Sequence, residues 1–407
     1  MCSNGCRSTC AGTVTRSPLF LRAGKNPVRA IVKPRVLLLI AALALAVRVY
    51  QINIPFLEPF NNYSRQSMCA SVARNFYTSG FNLLNPEIDE NGAGPYLYNV
   101  EMPLYSYLMA VAYKVAGGVR EGAARSVSVA FSIGFLIFLY LLTRRAADEV
   151  TARWALVFAA FSPMVVALSR SIQPDITMLF ACTGALYFFY RYRDTGRAAD
   201  HTVSALFFLF AVLTRPFALY LFLPVAYLAW EREGFRFLKN PRHYAYAVFV
   251  CLGLLWYVYM WHLGRELDLA YSPYHVKAAT AELTFLDYWR PAHWLLSAKA
   301  VALHLLTPIG AALFVLGLRG RQERGRGFFV VWLAATAAYL LAIWPTAVVH
   351  PYYFLPLAGP AAYFVARGAE RIWRGTGAWS RLRHPAALTL TAVLLLLNLG
   401  YYYRLLY

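Results

Sequence analysis

Apolar runs of about 17–22 residues recur along this chain, separated by short polar loops. A helix of that length covers the roughly 30 Å hydrocarbon core of a bilayer. The runs fall at 33–50, 126–143, 151–169, 174–190, 202–214, 216–230, 242–262, 297–317, 327–346, 352–367 and 385–402, the one at 202–214 being short for a crossing. One interruption differs from the rest. Between Glu58 and Leu108 the chain keeps about 50 residues rich in Asn, Tyr, Glu and Arg. Within it, Ser64–Tyr77 sets Met68, Val72 and Phe76 on one face at spacings of four, which predicts a short amphipathic helix stopped by Thr78-Ser79-Gly80. Asn85 to Pro95, punctuated by Pro, Asn and Gly, predicts irregular chain. The expected fold class is an all-α polytopic membrane protein with a large first loop that carries juxtamembrane helices.

Charge orients these runs. The 407 residues are 59% hydrophobic and only 14% charged, yet the net charge is +20. The basic residues concentrate in the loops Arg144-Arg145, Arg191–Arg197, Arg232–Arg242, Arg319–Arg326 and Arg367–Arg383, and in the tail with Arg7, Arg16, Arg22, Lys25 and Arg29. Lys and Arg gather in cytoplasmic loops, so the balance needs no nucleic-acid partner. The loops share one side only if the run at 101–117 does not cross. It is therefore expected to lie at the outer interface with Tyr98, Tyr105, Tyr107 and Tyr113. That leaves about eleven spans, with the N-terminus in the cytoplasm. In the rival topology 202–230 is one helix kinked at Pro216 and 101–117 crosses. The expected divisions are a disordered basic tail at 1–31, a membrane module at 32–262 with its outer loop at 51–125, a second outer loop at 263–296, and further transmembrane helices at 297–407. Cys2, Cys6 and Cys10 lack further ligands that would complete a metal site. There is no internal repeat, Gly-rich nucleotide loop or H-E-x-x-H.

Under this topology the outer side collects most polar residues that the basic loops do not explain. Glu101 heads the interfacial helix, as a base for an acceptor or as a favourable acid at a helix N-terminus. Asp175 opens another span, five residues from Arg170, so a carboxylate and a guanidinium are expected at one helix mouth. Arg215, between two apolar runs, requires an anionic partner, and phosphate suits its planar fork. Arg65 and Gln66 are expected on the exposed face of the loop helix, to grip phosphate or sugar hydroxyls. His350, Tyr352 and Tyr353 stand at the mouth of a later span. Carboxylates, arginines and aromatics gathered on one face are what inverting transfer from a membrane-held phosphosugar needs.

Several short motifs carry a resemblance. Ser64-Arg65-Gln66, Ala73-Arg74-Asn75-Phe76-Tyr77, Asn85-Pro86-x-Ile88-Asp89 and Glu101-Met102-Pro103-Leu104-Tyr105 resemble the membrane glycosyltransferases of the GT-C superfamily. Within it the chain is similar to bacterial protein O-mannosyltransferase and lipid A aminoarabinose transferase-like proteins, in a branch with an R-Q motif in the first outer loop. Ser169-Arg170 with Pro174-Asp175, and His350 with Tyr352-Tyr353, fit the same pattern over roughly 30–370. The resemblance implies a catalytic GT-C module in a bacterial inner membrane, its site facing outward. It implies a polyprenyl-phosphate-linked sugar as donor, a glycan, lipid or protein as acceptor, and membrane lipid around it. Glu101 and Asp175 match acidic positions of the family, while Arg65, Gln66, Arg74, Arg170, Arg215, His350, Tyr352 and Tyr353 are the expected donor-binding residues. The acidic pair usual at the start of the loop helix is replaced by Arg65-Gln66, behind Asn61, Asn62 and the more distant Glu58. The base is therefore missing or relocated, with Glu101 the first choice. Some members use a divalent cation, but this chain has no compact ligand cluster for one. A flippase of lipid-linked sugars and a non-catalytic membrane scaffold are the alternatives.

Overall fold

The computed structural model describes residues 34–55, 63–89, 95–97, 101–266, 290–320, 323–344, 347, 350–374 and 400. The expectations for the tail 1–31, for Glu58, Asn61, Asn62 and Tyr98, for most of the second outer loop and for nearly all of the run at 385–402 lie outside the described residues.

The described chain is mostly helical. The elements are α1 (Pro34–Val49), α2 (Tyr63–Ser79), β1 (Glu87–Asp89), β2 (Pro95–Leu97), α3 (Leu104–Ala116), α4 (Glu121–Ala146), α5 (Glu149–Phe161), α6 (Pro163–Leu168), α7 (Asp175–Thr195) and α8 (Ala198–Thr214). A 3₁₀ segment (Pro216–Leu221) then leads to α9 (Phe222–Glu233), followed by α10 (Pro241–Cys251) and α11 (Leu254–Glu266). The later elements are α12 (Pro291–Lys299), a π-helical segment (Ala300–Leu305), α13 (Thr307–Leu318), α14 (Arg326–Ala342), a 3₁₀ turn (Pro351–Leu357) and α15 (Ala358–Arg374).

Several apolar runs of the sequence are broken rather than continuous, and proline is the usual cause. The run at 151–169 splits into α5 and α6 at Pro163, and that at 352–367 starts with a 3₁₀ turn containing Pro356. Proline removes a backbone donor and starts helices better than it continues them. Among the described residues two helices are long and apolar enough to cross a membrane, Glu121–Ala146 and Pro241–Leu263. A third candidate is the pair Pro291–Leu305 and Thr307–Leu318, bent by 100°.

Ion pairs define the two ends of the bundle. At one end Arg145 pairs with Asp194 at 2.7 Å, Arg193 with Glu231 at 2.6 Å and Arg191 with Asp200 at 3.1 Å. Arg367 joins Glu370 and Asp148 there, and Arg371 meets Glu323 at 2.7 Å. These contacts gather the described parts of all five basic loops on one face. Asp175 starts α7 at the other end, where Arg215 meets it after the return along α8. The 3₁₀ segment and α9 then run back to Glu231 at the basic end. Arg215 itself is extended (φ −153°, ψ 120°), so 198–233 is a helical hairpin. The kinked single helix of the rival topology is not formed.

α3 stays at the end opposite the basic loops. Glu101, three residues before it, lies beside Arg215, and Gly117-Gly118 leads straight into α4. Arg125, in the first turns of α4, binds the carbonyls of Ile52 and Pro55 at 2.7 and 3.0 Å and that of Ile54. Tyr105 and Tyr113 do not form the interfacial belt that the sequence led us to expect. They are buried against α2 and α4, and Tyr105 shares a 2.6 Å hydrogen bond with Ser128. The loop helix has its predicted inner face, with Val72 and Phe76 buried beside Met68, Ile88 and Ala110. The stretch expected to be irregular contributes an antiparallel pairing, Glu87 opposite Leu97 and Ile88 opposite Tyr96.

α13 and α15 cross with their backbones in contact. A Cβ on Gly317 would run into the Phe364 carbonyl, and one on Gly368 into the Leu313 carbonyl. Small residues permit this approach where helix packing, not water exclusion, holds helices together. Gly368→Val is expected to destabilise the fold by about 1–3 kcal/mol, read as a lower melting temperature in detergent. Val365→Ala on the same helix leaves the crossing open and serves as the comparison.

Candidate active site

Four buried charges meet at the end opposite the basic loops. Arg65 comes from the first turn of α2, Glu101 from the segment before α3, Asp175 from the first residue of α7, and Arg215 from the break after α8. Their exposures are only 9, 4, 3 and 5%, so each charge has to be balanced inside the protein. Arg65 Nη2 donates to Glu101 Oε1. Arg215 Nη2 donates to both oxygens of Asp175 at 3.0 Å, and its Nη1 lies 3.9 Å from Glu101 Oε2. Glu101 is thus flanked by two guanidinium groups, and the cluster is neutral as two pairs.

Local structure explains why the groups converge. The extended backbone at Arg215 ends α8, whose last carbonyls would otherwise lack partners. Tyr257 donates to the carbonyls of Val212 and Leu213 at 2.9 and 3.1 Å, and the Met102 amide to Leu213 at 3.2 Å. That amide fixes the backbone of Glu101 beside Arg215. Aromatic side chains close one side. The Arg215 guanidinium lies 5.7 and 5.8 Å from the ring centres of Tyr352 and Tyr353, within cation–π range. His350 stacks on Tyr352 at 5.4 Å. Burial, followed by the positive charges of Arg215 and Arg65, lowers the basicity of His350 below its ordinary value, so it is neutral at neutral pH.

The remaining expected residues divide. Gln66 and Arg170 adjoin the cluster but serve the backbone around it: Gln66 Oε1 accepts from the Ile172 amide at 3.1 Å, and Arg170 donates to the Tyr50 carbonyl. The reason is local, since both 50–55 and 169–174 are irregular chain whose buried peptide groups need partners. Arg65 and Gln66 are therefore buried, not on an exposed face. The partner of Asp175 is Arg215, not nearby Arg170. The anionic partners of Arg215 in this structure are carboxylates of the chain itself. Arg74 falls outside the cluster, pairing with Asp89 on the outer side of α2 where both side chains are 51% exposed.

The dolichyl-phosphate-mannose-protein mannosyltransferase family model matches residues 100–261, the stretch that holds Glu101, Asp175 and Arg215. Among solved structures, ArnT from Cupriavidus metallidurans bound to undecaprenyl phosphate superposes with TM-score 0.56 at 16% identity, over 83% of this chain and 60% of that one. The Archaeoglobus fulgidus oligosaccharyltransferase, in complex with zinc and sulfate, gives 0.56 at 14%, over 90% of this chain and 53% of that one. Arabinosyltransferase EmbB from Mycobacterium smegmatis gives 0.52 at 11%, over 85% and 32%. The chain has the GT-C glycosyltransferase fold. It spans 60% or less of the length of these neighbours. No curated protein matches its sequence.

Three residues around this cluster escape sequence reasoning. Tyr257 and Tyr339 sit within apolar runs, where a tyrosine reads as core, and Cys69 lies on the inner face of α2. Tyr339 donates to the Tyr353 carbonyl at 3.4 Å and stacks on Tyr220. Burial pushes the Cys69 thiol up to about 12, so it remains protonated beside Arg65 and Glu101. No local signal marks Tyr257, which lies in the first turn of α11 inside an apolar run. Among the described residues no group of three or more His, Cys, Asp or Glu able to hold a divalent cation occurs, and arginines engage both Glu101 and Asp175.

The cluster separates from the exposed pair in its energetics. Asp175→Ala leaves a buried guanidinium without its carboxylate and is expected to cost about 3–5 kcal/mol. Arg74→Ala breaks a half-exposed pair, with an expected loss of at most about 1 kcal/mol. Melting temperatures of the two variants in one detergent check the contrast.

Proposed function

We propose that this protein is an inverting glycosyltransferase that moves a sugar from a polyprenyl-phosphate donor to a hydroxyl of a glycan, lipid or protein acceptor. The observation that carries the reading is the buried cluster of Arg65, Glu101, Arg215 and Asp175 beside Tyr352 and Tyr353. It joins a carboxylate that can take a proton to guanidinium groups that can receive a phosphate. Support also comes from two structural neighbours, one solved with undecaprenyl phosphate and one with dolichol phosphate. Polar groups massed at one end of the bundle, rather than along its height, favour catalysis at a membrane surface over a translocation path.

In this reading the acceptor oxygen attacks the anomeric carbon from the face opposite the phosphate. Glu101 takes the hydroxyl proton as the new carbon–oxygen bond forms. The bond from the anomeric carbon to the phosphate oxygen breaks, and its electron pair leaves with polyprenyl phosphate. Arg215, held by Asp175, steadies the charge that grows on the leaving phosphate. Asp175 thus acts by holding Arg215. The Tyr352 and Tyr353 rings offer faces for the sugar or the first prenyl units.

The same reading assigns orientation. The basic end faces the cytoplasm by the positive-inside tendency, which puts the charge cluster on the outer face of a bacterial inner membrane. It keeps about eleven crossings, with the broken apolar runs spanning as bent helices. In membranes supplied with polyprenyl-phosphate donors carrying labelled sugars, wild type is expected to release polyprenyl phosphate. Glu101→Gln is expected to slow that release by about 10²–10⁴-fold. Undiminished release from Glu101→Gln removes the assignment of the base, and no release with any donor removes the transferase reading.

A further inference from the structure

We infer that Tyr257 is a positioning residue for sugar transfer, its phenol holding the end of α8 so that Arg215 and Glu101 keep their places relative to each other. The inference rests on the transferase reading above and extends it to α11, from which none of the four clustered charges comes.

The need for Tyr257 begins with the Arg215-Pro216 pair. In a continuous helix the carbonyl of Val212 accepts from the amide of residue 216, and that of Leu213 from residue 217. Proline has no amide hydrogen, and Arg215 is extended (φ −153°, ψ 120°), so the chain leaves α8 with both carbonyls short of their helical donors. The Arg215 amide closes the Ala211 carbonyl at 2.8 Å, and the Tyr257 hydroxyl supplies Val212 and Leu213 at 2.9 and 3.1 Å. A glycine lets the phenol come this close. A Cβ on Gly253, just ahead of α11, would lie 3.0 Å from the side chains of both Leu209 and Val212. Trp256 and Met260, at helical spacing on the same face of α11, are buried and keep that face turned inward.

The anchored carbonyl is where two parts of the site meet. Leu213 also accepts from the amide of Met102, the residue after Glu101, at 3.2 Å, and it stands two positions before Arg215. One peptide group thereby fixes the backbone of the base and of the phosphate-binding cation together. In the reaction the two act on opposite faces of the sugar, Glu101 on the hydroxyl that attacks and Arg215 on the phosphate that leaves. Their separation has to match one donor geometry, and a displacement of about 1 Å in such an arrangement costs on the order of 10²-fold in rate. Asp175 holds the Arg215 guanidinium, but not the backbone that carries it. Tyr257 holds the backbone. Without the phenol the Val212 carbonyl loses that donor, the last turn of α8 loosens, and Arg215 shifts relative to Glu101.

The decisive measurement is the split between kcat and KM for release of polyprenyl phosphate by the full chain in membranes, with the labelled donor that wild type turns over. Tyr257→Phe keeps the ring and removes only the hydroxyl. It is expected to lower kcat about 10–100-fold while KM changes less than about threefold. Its capacity for undecaprenyl phosphate at saturation, which counts folded sites, is expected to equal that of wild type. A merely structural role would lower capacity and rate together. Coupling supplies a second readout. In the Glu101→Gln background no base is left to align, so adding Tyr257→Phe is expected to cost less than about threefold more. Should Tyr257→Phe not fold, Gly253→Ala displaces α11 from α8 by a few tenths of an ångström and is expected to lower kcat in the same direction. Wild-type kcat in Tyr257→Phe, or the same loss in both backgrounds, overturns the positioning role and leaves the transferase reading standing. Wild type that releases polyprenyl phosphate from no donor overturns the transferase reading itself.

Discussion

Burial of four charges at one end of an apolar bundle is the constraint on which the site depends. A lone guanidinium with the exposure of Arg215 is untenable in low-dielectric surroundings, and the same holds for Glu101 and Asp175. The solution is mutual: each cation lies against a carboxylate from a different part of the chain. α2, the segment before α3, the start of α7 and the end of α8 must therefore come together for any one of them to be stable. The break at Arg215, which separates two antiparallel helices, follows from the same requirement, because a continuous helix would carry the side chain past Asp175.

The opposite end uses the same residue types with a different outcome. There Arg145, Arg193 and Arg371 pair with Asp194, Glu231 and Glu323, with side chains some 20–32% exposed. Partial hydration screens such pairs, so each contributes little and can be exchanged for solvent. They fix the order of helices at a surface, while Arg367 and Glu370 at the same end form a pair as buried as those of the cluster.

Much of this was legible in the residues, and the failures have physical causes. The shared side of the basic loops followed from charge placement, and the reversal at Arg215 from an Arg-Pro pair between apolar runs. Glu101, Asp175 and Arg215 stood out as ionisable groups bordering apolar segments. Their pairing was not legible, because Arg65 and Glu101 are 36 positions apart and Arg215 and Asp175 are 40. Local spacing instead linked Asp175 to Arg170. The backbone bonds of Gln66 and Arg170 were not legible either, because the need of irregular segments for hydrogen-bond partners is invisible until those segments are placed. The tyrosines of α3 were assigned to an interface for the same reason: periodicity shows an apolar face, but not whether lipid or another helix covers it.

The anchoring of these groups limits how the site can change. Glu101 and Arg215 share one piece of backbone, since Met102 and Tyr257 both cap the end of α8 at Leu213. α2 is tied to its neighbours through Gln66 to Ile172 and through the Cys69 carbonyl to Ser106 at 3.1 Å. Motion of any of these elements would break buried backbone hydrogen bonds as well as the ion pairs, so a rigid-body opening is disfavoured.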